Sequence, residues 1–316
     1  KTVIFLTKLF KKNTHHYSRD LKSFEKELMS TSNIQININD IATKKSIQFN
    51  FLYWQYYILF KLKKPKKVFV VFVFPHLHIV AAAQNLGIPV IELQHGTIPP
   101  IGYSYPGRPY VPYMPDEIWC FGRFWFESTD LPGNVTPKVY GAPFLKEFLE
   151  KEPAQKDPDL MLFASQGPIG EKLFEVAIET AKGLPHKNIV FRLHPSEHRS
   201  DYETLARNIQ DQTGHKLPDN FRISDKTESE TTYDLMAKAT YKVGVSSTTL
   251  YEAMVFKTKV MVVSLPGWEY LKPAINNGDA VLVHNAGDII NNYEYAPLCE
   301  DHSYYYDLNE NKSLIS

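Results

Sequence analysis

Residues Pro89-Val-Ile-Glu-Leu-Gln-His-Gly-Thr97 decide how this chain is read. A short apolar run bounded by turn residues reads as a strand buried in a parallel sheet. The run stops at Gln94-His95-Gly96, and a loop dense in glycine, proline and tyrosine follows as far as Pro115. In an open α/β sheet the ligand crevice lies beyond the carboxyl ends of the strands. His95 therefore stands where a titrating imidazole is useful, and Gly96 lets the backbone turn sharply beside it. A structural histidine closing a strand end is the alternative reading of the same residue.

Outward from this point the pattern stays regular. Val68–Phe74 is a second β-branched and aromatic run, and His78–Leu86 reads as a helix ended by Gly87, which suits the left-handed position after a helix. Downstream, strands are expected at Glu117–Phe121 and Lys138–Tyr140, with a short helix at Phe124–Ser128. Gly141-Ala-Pro143 breaks the pattern, which sets a first domain at residues 1–143, followed by a linking helix at Phe144–Lys151. Beyond it, strands fall at Leu160–Ala164, Ile189–Leu193, Arg222–Ser224, Lys242–Val245, Val260–Ser264 and Ala280–His284. Helices between them are expected at Glu171–Lys182, Asp201–Gln212, Thr232–Ala239, Thr249–Phe256 and Glu269–Asn276. This alternation means βαβ units with right-handed crossovers. The expected fold is α/β, with two Rossmann-like doubly wound domains facing a cleft: residues 1–143, residues 144–285, and a C-terminal tail at 286–316. Ahead of residue 67 the readings are a strand at Thr2–Leu6, a helix at Ser18–Ser30, an alternating strand at Asn33–Ile38 and a helix at Phe51–Lys63.

The 316 residues, 43% hydrophobic and 22% charged, fit a soluble globular protein of two domains. Cys120 and Cys299 stand in no metal-ligand spacing, which argues against a disulfide framework or zinc site and for a reducing, cytoplasmic compartment. No uncharged apolar run reaches the ~18 residues that mark a spanning helix. The chain opens at Lys1, so an upstream element could precede it. Zero net charge hides an uneven distribution: residues 1–70 carry 14 Lys or Arg against 4 Asp or Glu. Within that segment the aromatic stretch Phe49–Tyr57 precedes the lysine cluster Lys61–Lys67. Such a combination either holds a protein peripherally on an anionic membrane surface or is a packed helix with a solvated lysine turn. No nucleic-acid-binding motif accompanies the basic residues, so nucleic acid is not an expected partner.

Three strand ends in the second half carry polar residues, and parallel strands bring such ends to one edge. Ser165-Gln166-Gly167-Pro168 follows one strand, Arg192 and His194-Pro195 end the next, and Ser246-Ser247-Thr248-Thr249 opens a helix containing Glu252. Free N–H groups at a helix N-terminus plus hydroxyls make an anion site. A single cap needs one hydroxyl, and four in succession exceed that need. Glu252 either reaches a ribose or is a surface carboxylate favouring the helix dipole. Proline holds His194 extended, and strand alternation puts Arg192 on the same face. There is no GxGxxG, Walker or GxSxG sequence, which disfavours hydride transfer, P-loop chemistry and that class of hydrolase. No metal-ligand constellation is present either.

Glu92-Leu-Gln-His-Gly-Thr97, Arg192-Leu-His-Pro195 and Ser246-Ser-Thr-Thr-Leu-Tyr-Glu-Ala253 together resemble GT-B glycosyltransferases of the bacterial surface-polysaccharide type. That group includes CMP-sugar sialyl- and Kdo-transferases and CDP-glycerol glycerophosphotransferases. The resemblance spans residues 67–285 at the level of motifs. It implies an inverting, metal-independent transfer from a nucleotide-sugar donor, CMP-linked, to a hydroxyl of a surface polysaccharide or lipid-linked glycan. His95 is then the general base and His194 steadies the leaving phosphate. Ser246, Ser247, Thr248, Gln166, Gly167, Arg192 and Glu252 bind the nucleotide and its phosphates, and Glu92, Gln94 and Tyr103 orient the base or meet the acceptor. No cofactor is required. The alternatives are a CDP-glycerol-type glycerophosphotransferase, a UDP-sugar epimerase on the same fold, and a glycan-binding scaffold without activity.

Overall fold

The computed structural model describes residues 25–30, 37–98, 110, 112–150, 155–309 and 311. Their contacts divide the chain into two compact units that it enters and leaves more than once. Unit 1 takes Lys1–His95, Gly107–Trp119 and Leu131–Pro137; unit 2 takes Gly96–Pro106, Cys120–Asp130 and Lys138–Ser316.

A helix, α1 (Ile38–Lys63), leads into the sheet of unit 1. Four strands follow in sequence and in space: β1 (Val68–Val71), β2 (Val90–Leu93), β3 (Glu117–Cys120) and β4 (Thr136–Val139). β2 is parallel to both β1 and β3, pairing Val68 with Val90 and Ile91 with Glu117. Its Val90, Ile91 and Glu92 are buried. The helix α2 (Leu77–Gln84) connects β1 to β2, buries Val80–Ala83 and packs against α1. Small alanines let α2 lie close to the sheet.

α1 begins at Ile38 rather than at Phe51. Asn37 caps it, its side chain accepting from the Asp40 N–H at 2.9 Å. The first half, residues 38–50, is mostly polar and its few apolar residues form no clear stripe, so the sequence does not mark it. Of the expected strand Asn33–Ile38, residues 33–36 lie outside the described residues and Ile38 is helical. The expected strand at Thr2–Leu6 also lies outside them, and of the expected helix Ser18–Ser30 residues 25–30 are helical.

Unit 2 opens with the short α3 (Phe124–Glu127) and with α4 (Pro143–Glu150). A six-stranded sheet follows, built from β5 (Asp157–Ala164), β6 (Asn188–Arg192), β7 (Phe221–Ser224), β8 (Ala239–Gly244), β9 (Lys259–Val263) and β10 (Ala280–Val283). Every pairing is parallel, in the order β10-β9-β8-β5-β6-β7. The chain thus runs outward from β5 to β7, then returns to the other side of β5 and runs outward again. The crevice between β5 and β8 is the switch point where ligands bind in such sheets. The crossover helices are α5 (Gly170–Gly183), α6 (Arg199–Thr213), α7 (Thr232–Lys238), α8 (Thr248–Val255) and α9 (Lys272–Asn276). Met161, Phe163, Phe174, Phe191, Val243 and Met261 fill the core.

Two expectations change here. The helix read at Glu269–Asn276 is a 3₁₀ turn, Trp268–Leu271, followed by α9, because Pro273 fits only a helix's first turn. The stretch read as a tail from residue 286 is folded. It forms α10 (Ala286–Asn292), which packs on α5, and then buries Tyr305 and Tyr306. Main-chain bonds pin its end: Asp307 N–H donates to Phe121 O at 2.9 Å, and Ala142 N–H to Asp307 O at 2.6 Å.

Candidate functional site

Three strand ends of unit 2 meet at the switch point. Past β5, the Gln166 side-chain oxygen accepts from the Ser246 N–H at 2.9 Å and the Ser246 hydroxyl at 3.2 Å. One side chain therefore bridges the crevice between β5 and β8. Gly167, next in line, is exposed and opens a 3₁₀ turn.

The four hydroxyls have separate tasks. Ser246 meets Gln166. Ser247 caps α8, accepting from the Thr249 N–H at 3.3 Å, and its hydroxyl lies 2.9 Å from that of Thr249. Thr248 opens the helix, and a Cβ built on Gly96, a residue of unit 2, would lie 3.7 Å from its hydroxyl. All four are half-buried.

His194 is exposed just beyond β6. Its Nδ1 accepts from the Ser196 N–H at 3.2 Å, with the Ser196 hydroxyl at 2.7 Å. A backbone N–H can only donate, so this bond leaves the neutral ring's proton on Nε2. Arg192 goes elsewhere. Its guanidinium is buried toward β7 and donates to the Ser224 hydroxyl at 2.8 Å, Asp225 O at 2.5 Å and the Thr232 hydroxyl at 3.3 Å. Burial lowers its pKa, against the raising effect of Glu228 and Asp225. Alternation governs Arg192, the last residue of β6, but not His194 past the strand end, so the two part company.

Glu252 is neither exposed nor on the helix's outer face: it is 7% exposed. Burial raises its carboxyl pKa, while Lys242 and the Tyr233 hydroxyl pull it back. Lys242 lies in the middle of β8 and is 0% exposed, its pKa pushed down to about 7 by burial. The corrected picture is a buried Glu252 that feels the charge of the buried Lys242 without a hydrogen bond from its ammonium, in place of a surface carboxylate.

In unit 1, His95 is exposed beyond β2 and its ring lies 5.4 Å from that of Phe72. Gln94 is buried and extends the ladder, its N–H donating to Trp119 O at 3.0 Å. Glu92 is buried and accepts from the Val73 N–H at 3.2 Å, so its carboxylate supports the turn after β1. Tyr103 lies outside the described residues. Among those described, no cluster of three or more His, Cys, Asp or Glu could hold a metal ion.

No protein-family model matches the chain, and no curated protein matches it. Solved structures do. UDP-GlcNAc 2-epimerase from Neisseria meningitidis, solved with UDP-GlcNAc, is 16% identical with a TM-score of 0.54, covering 86% of this chain and 80% of that one. UDP-GlcNAc 2-epimerase from Methanocaldococcus jannaschii gives 14% and 0.55, over 85% and 81%. MurG from Acinetobacter baumannii gives 13% and 0.50, over 90% and 81%. The fold is GT-B-like. At such identities the likeness establishes architecture, two parallel-sheet α/β domains, and the site must stand on its own residues.

Two residues of this GT-B-like chain escaped the sequence reading. Phe72, beside His95, has φ of 55°, a left-handed conformation that is an outlier for a bulky residue and is concentrated at functional sites. Nothing in Phe-Val-Phe-Pro announces it. Glu197 follows His194 in the same turn and binds it; the Ser196-Glu197 pair after His-Pro was the available signal.

Proposed function

We propose that this protein is a GT-B-like glycosyltransferase that moves a sugar from a nucleotide-linked donor, CMP-linked by preference, to a hydroxyl of a surface polysaccharide or lipid-linked glycan. The observation that carries the reading is the Gln166–Ser246 bridge at the switch point, with the donor Nε2–H of His194 exposed on the adjoining strand end. The donor's phosphate would be met by Ser246, Ser247, Thr248 and His194, and its nucleotide by Gln166 and Gly167. Arg192 and Glu252 would support the site from beneath.

In the reaction, His95 takes the proton from the acceptor hydroxyl as its oxygen attacks the anomeric carbon. The bond from that carbon to the phosphate oxygen breaks, and the nucleotide leaves with the electron pair. The growing charge on its phosphate is met by hydroxyl, N–H and imidazole donors already in place. Glu92 and Gln94 set the strand end that presents His95, and Tyr103 would meet the acceptor. The chemistry asks for no cofactor.

The site's first test is a thermal-shift panel of CMP, CDP, UDP and GDP, because ligand binding to the folded state raises apparent stability. CMP or CDP should give the largest shift, and no shift with any nucleotide would refute a donor site. His95→Ala should then lower transfer by about 10²–10⁴-fold while nucleotide affinity is retained. Undiminished turnover in that variant would remove His95 from the base role.

A second reading has an observation behind it. The N. meningitidis neighbour is a UDP-GlcNAc 2-epimerase solved with UDP-GlcNAc, which supports UDP-sugar epimerisation as that second reading. Incubating UDP-GlcNAc without acceptor and finding an isomerised nucleotide sugar would decide for it. A CDP-glycerol-type glycerophosphotransferase rests on the His95-Gly96-Thr97 resemblance, and labelled CDP-glycerol separates it from sugar transfer.

A further inference from the structure

The Glu197 carboxylate holds three donors from three parts of unit 2. Its Oε1 accepts from the Ser165 hydroxyl at 2.9 Å and the Tyr202 hydroxyl at 2.6 Å; its Oε2 accepts from the His194 N–H at 2.6 Å. The Glu197 N–H donates back to His194 O at 2.9 Å, so main chain and side chain together close the turn His194–Glu197. Closing a turn needs only that pair. The other two bonds reach β5 through Ser165, the residue before Gln166, and α6 through Tyr202. Burial and the bond to Glu197 push the Tyr202 pKa up, so the hydroxyl stays a donor.

Gly170 makes room for this arrangement. A Cβ there would lie 2.6 Å from Glu197 Oε1 and 2.8 Å from the Ser165 hydroxyl, and would collide with the Tyr202 hydroxyl. The same closed turn keeps the Ser196 N–H on His194 Nδ1, which fixes the ring proton on Nε2. The adjoining hollow, lined by Glu171, Glu197 and Asp201, repels an anion, so a phosphate is directed to the Ser246 side.

We propose that Glu197 is a positioning residue of the donor site: it ties the loop after β5 to the loop after β6, so that Gln166 and the Nε2–H of His194 are in place before the donor's phosphate arrives. This rests on the donor-site reading of unit 2. Preorganised donors of this kind need no rearrangement when charge arrives.

Glu197→Gln keeps the volume but replaces one accepting oxygen with an amide that faces a donor. The histidine ring ¹⁵N spectrum of the full chain should lose its single Nε2–H tautomer at His194. Affinity for CMP, CDP or UDP, whichever the wild-type chain binds, should fall about tenfold by calorimetry. Tyr202→Phe removes one donor without changing volume and should shift both readouts the same way, by less. A folded Glu197→Gln protein with the wild-type ring spectrum overturns the proposal. So does a changed spectrum with unchanged nucleotide affinity. If the wild-type chain binds none of these nucleotides, the donor reading fails on that result, and the tie between the two loops is judged by the ring spectrum alone.

Discussion

At His194 a single backbone N–H decides which ring nitrogen carries the proton. Because Ser196 N–H occupies Nδ1, the ring offers its proton from Nε2 without needing a positive charge. Glutamine places its amide nitrogen near the position of Nε2, whereas asparagine places its own near Nδ1. His194→Gln should therefore retain most of the transfer rate that His194→Asn loses. The asparagine loss is expected at about 10²–10³-fold, the effect of removing one such donor. Steady-state kinetics on both variants check this, and equal losses would show that the Nε2 proton is not what counts. The two neighbours of this residue show what a sequence can and cannot reveal. His194 was legible because a strand ends and proline follows. Arg192 pointed the other way because the alternation that would have joined it to His194 does not continue past β6.

At the scale of elements, the β8–α8 contact carries an unusual charge arrangement. The strand residues around Lys242 read as an ordinary apolar run, since nothing in a single sequence tells a snorkelling lysine from one that is 0% exposed. Burial pushes Lys242 down to about 7, from an unfolded value near 10.5. Between those pH values the unfolded chain binds more protons than the folded one, so stability rises with pH across that window. Lys156, lowered to about 8, adds in the same direction. Glu252, raised above 4.5 by burial, does the opposite: its folded form holds the proton longer, so stability falls as pH passes from 4.5 through its folded pKa. Urea midpoints should therefore rise from pH 7 to about 9, above which the raised Cys299 thiol and the buried tyrosine hydroxyls act the other way, and Lys242→Met should flatten that rise. A flat wild-type profile would contradict the burial of a titrating lysine. The strands of this sheet were legible to within a few residues because each is an apolar run bounded by polar residues. The C-terminal segment was not, since its packing is long-range. Gly122 shows how tight that packing is: a Cβ there would lie 2.5 Å from Tyr304 O and 2.6 Å from Tyr305 O. Backbone cannot yield as a side-chain tip can, so Gly122→Ala should cost about 1–3 kcal/mol. It should also expose residues 293–309 to limited proteolysis, and a protease-resistant variant of wild-type melting temperature would disprove the contact.

Over the whole molecule the charge is divided: residues 1–70 are net +10 in a chain that sums to zero. In that segment α1 presents Trp54 at 47%, Ile58 at 56% and Leu62 at 75% exposure, spaced four residues apart along one side. The apolar side of a helix normally faces a packing partner, and this row does not. Asp40 is its single acidic residue and pairs with Lys44, while Lys61 and Lys63 flank Leu62 at the end of the apolar row. A second copy laid face to face would bring lysine against lysine. An anionic lipid surface instead accepts both the apolar side chains and the charge. No described helix is long and apolar enough to cross a membrane, so any such attachment through α1 lies along the surface. The protein should therefore sediment with phosphatidylserine vesicles at low salt, release as ionic strength rises and ignore neutral vesicles. Trp54 emission should shift to the blue on binding, and Leu62→Ala should weaken sedimentation without lowering the melting temperature. Failure to bind phosphatidylserine vesicles at low salt would leave the exposed row of α1 without a lipid role and direct attention to a protein partner of negative charge.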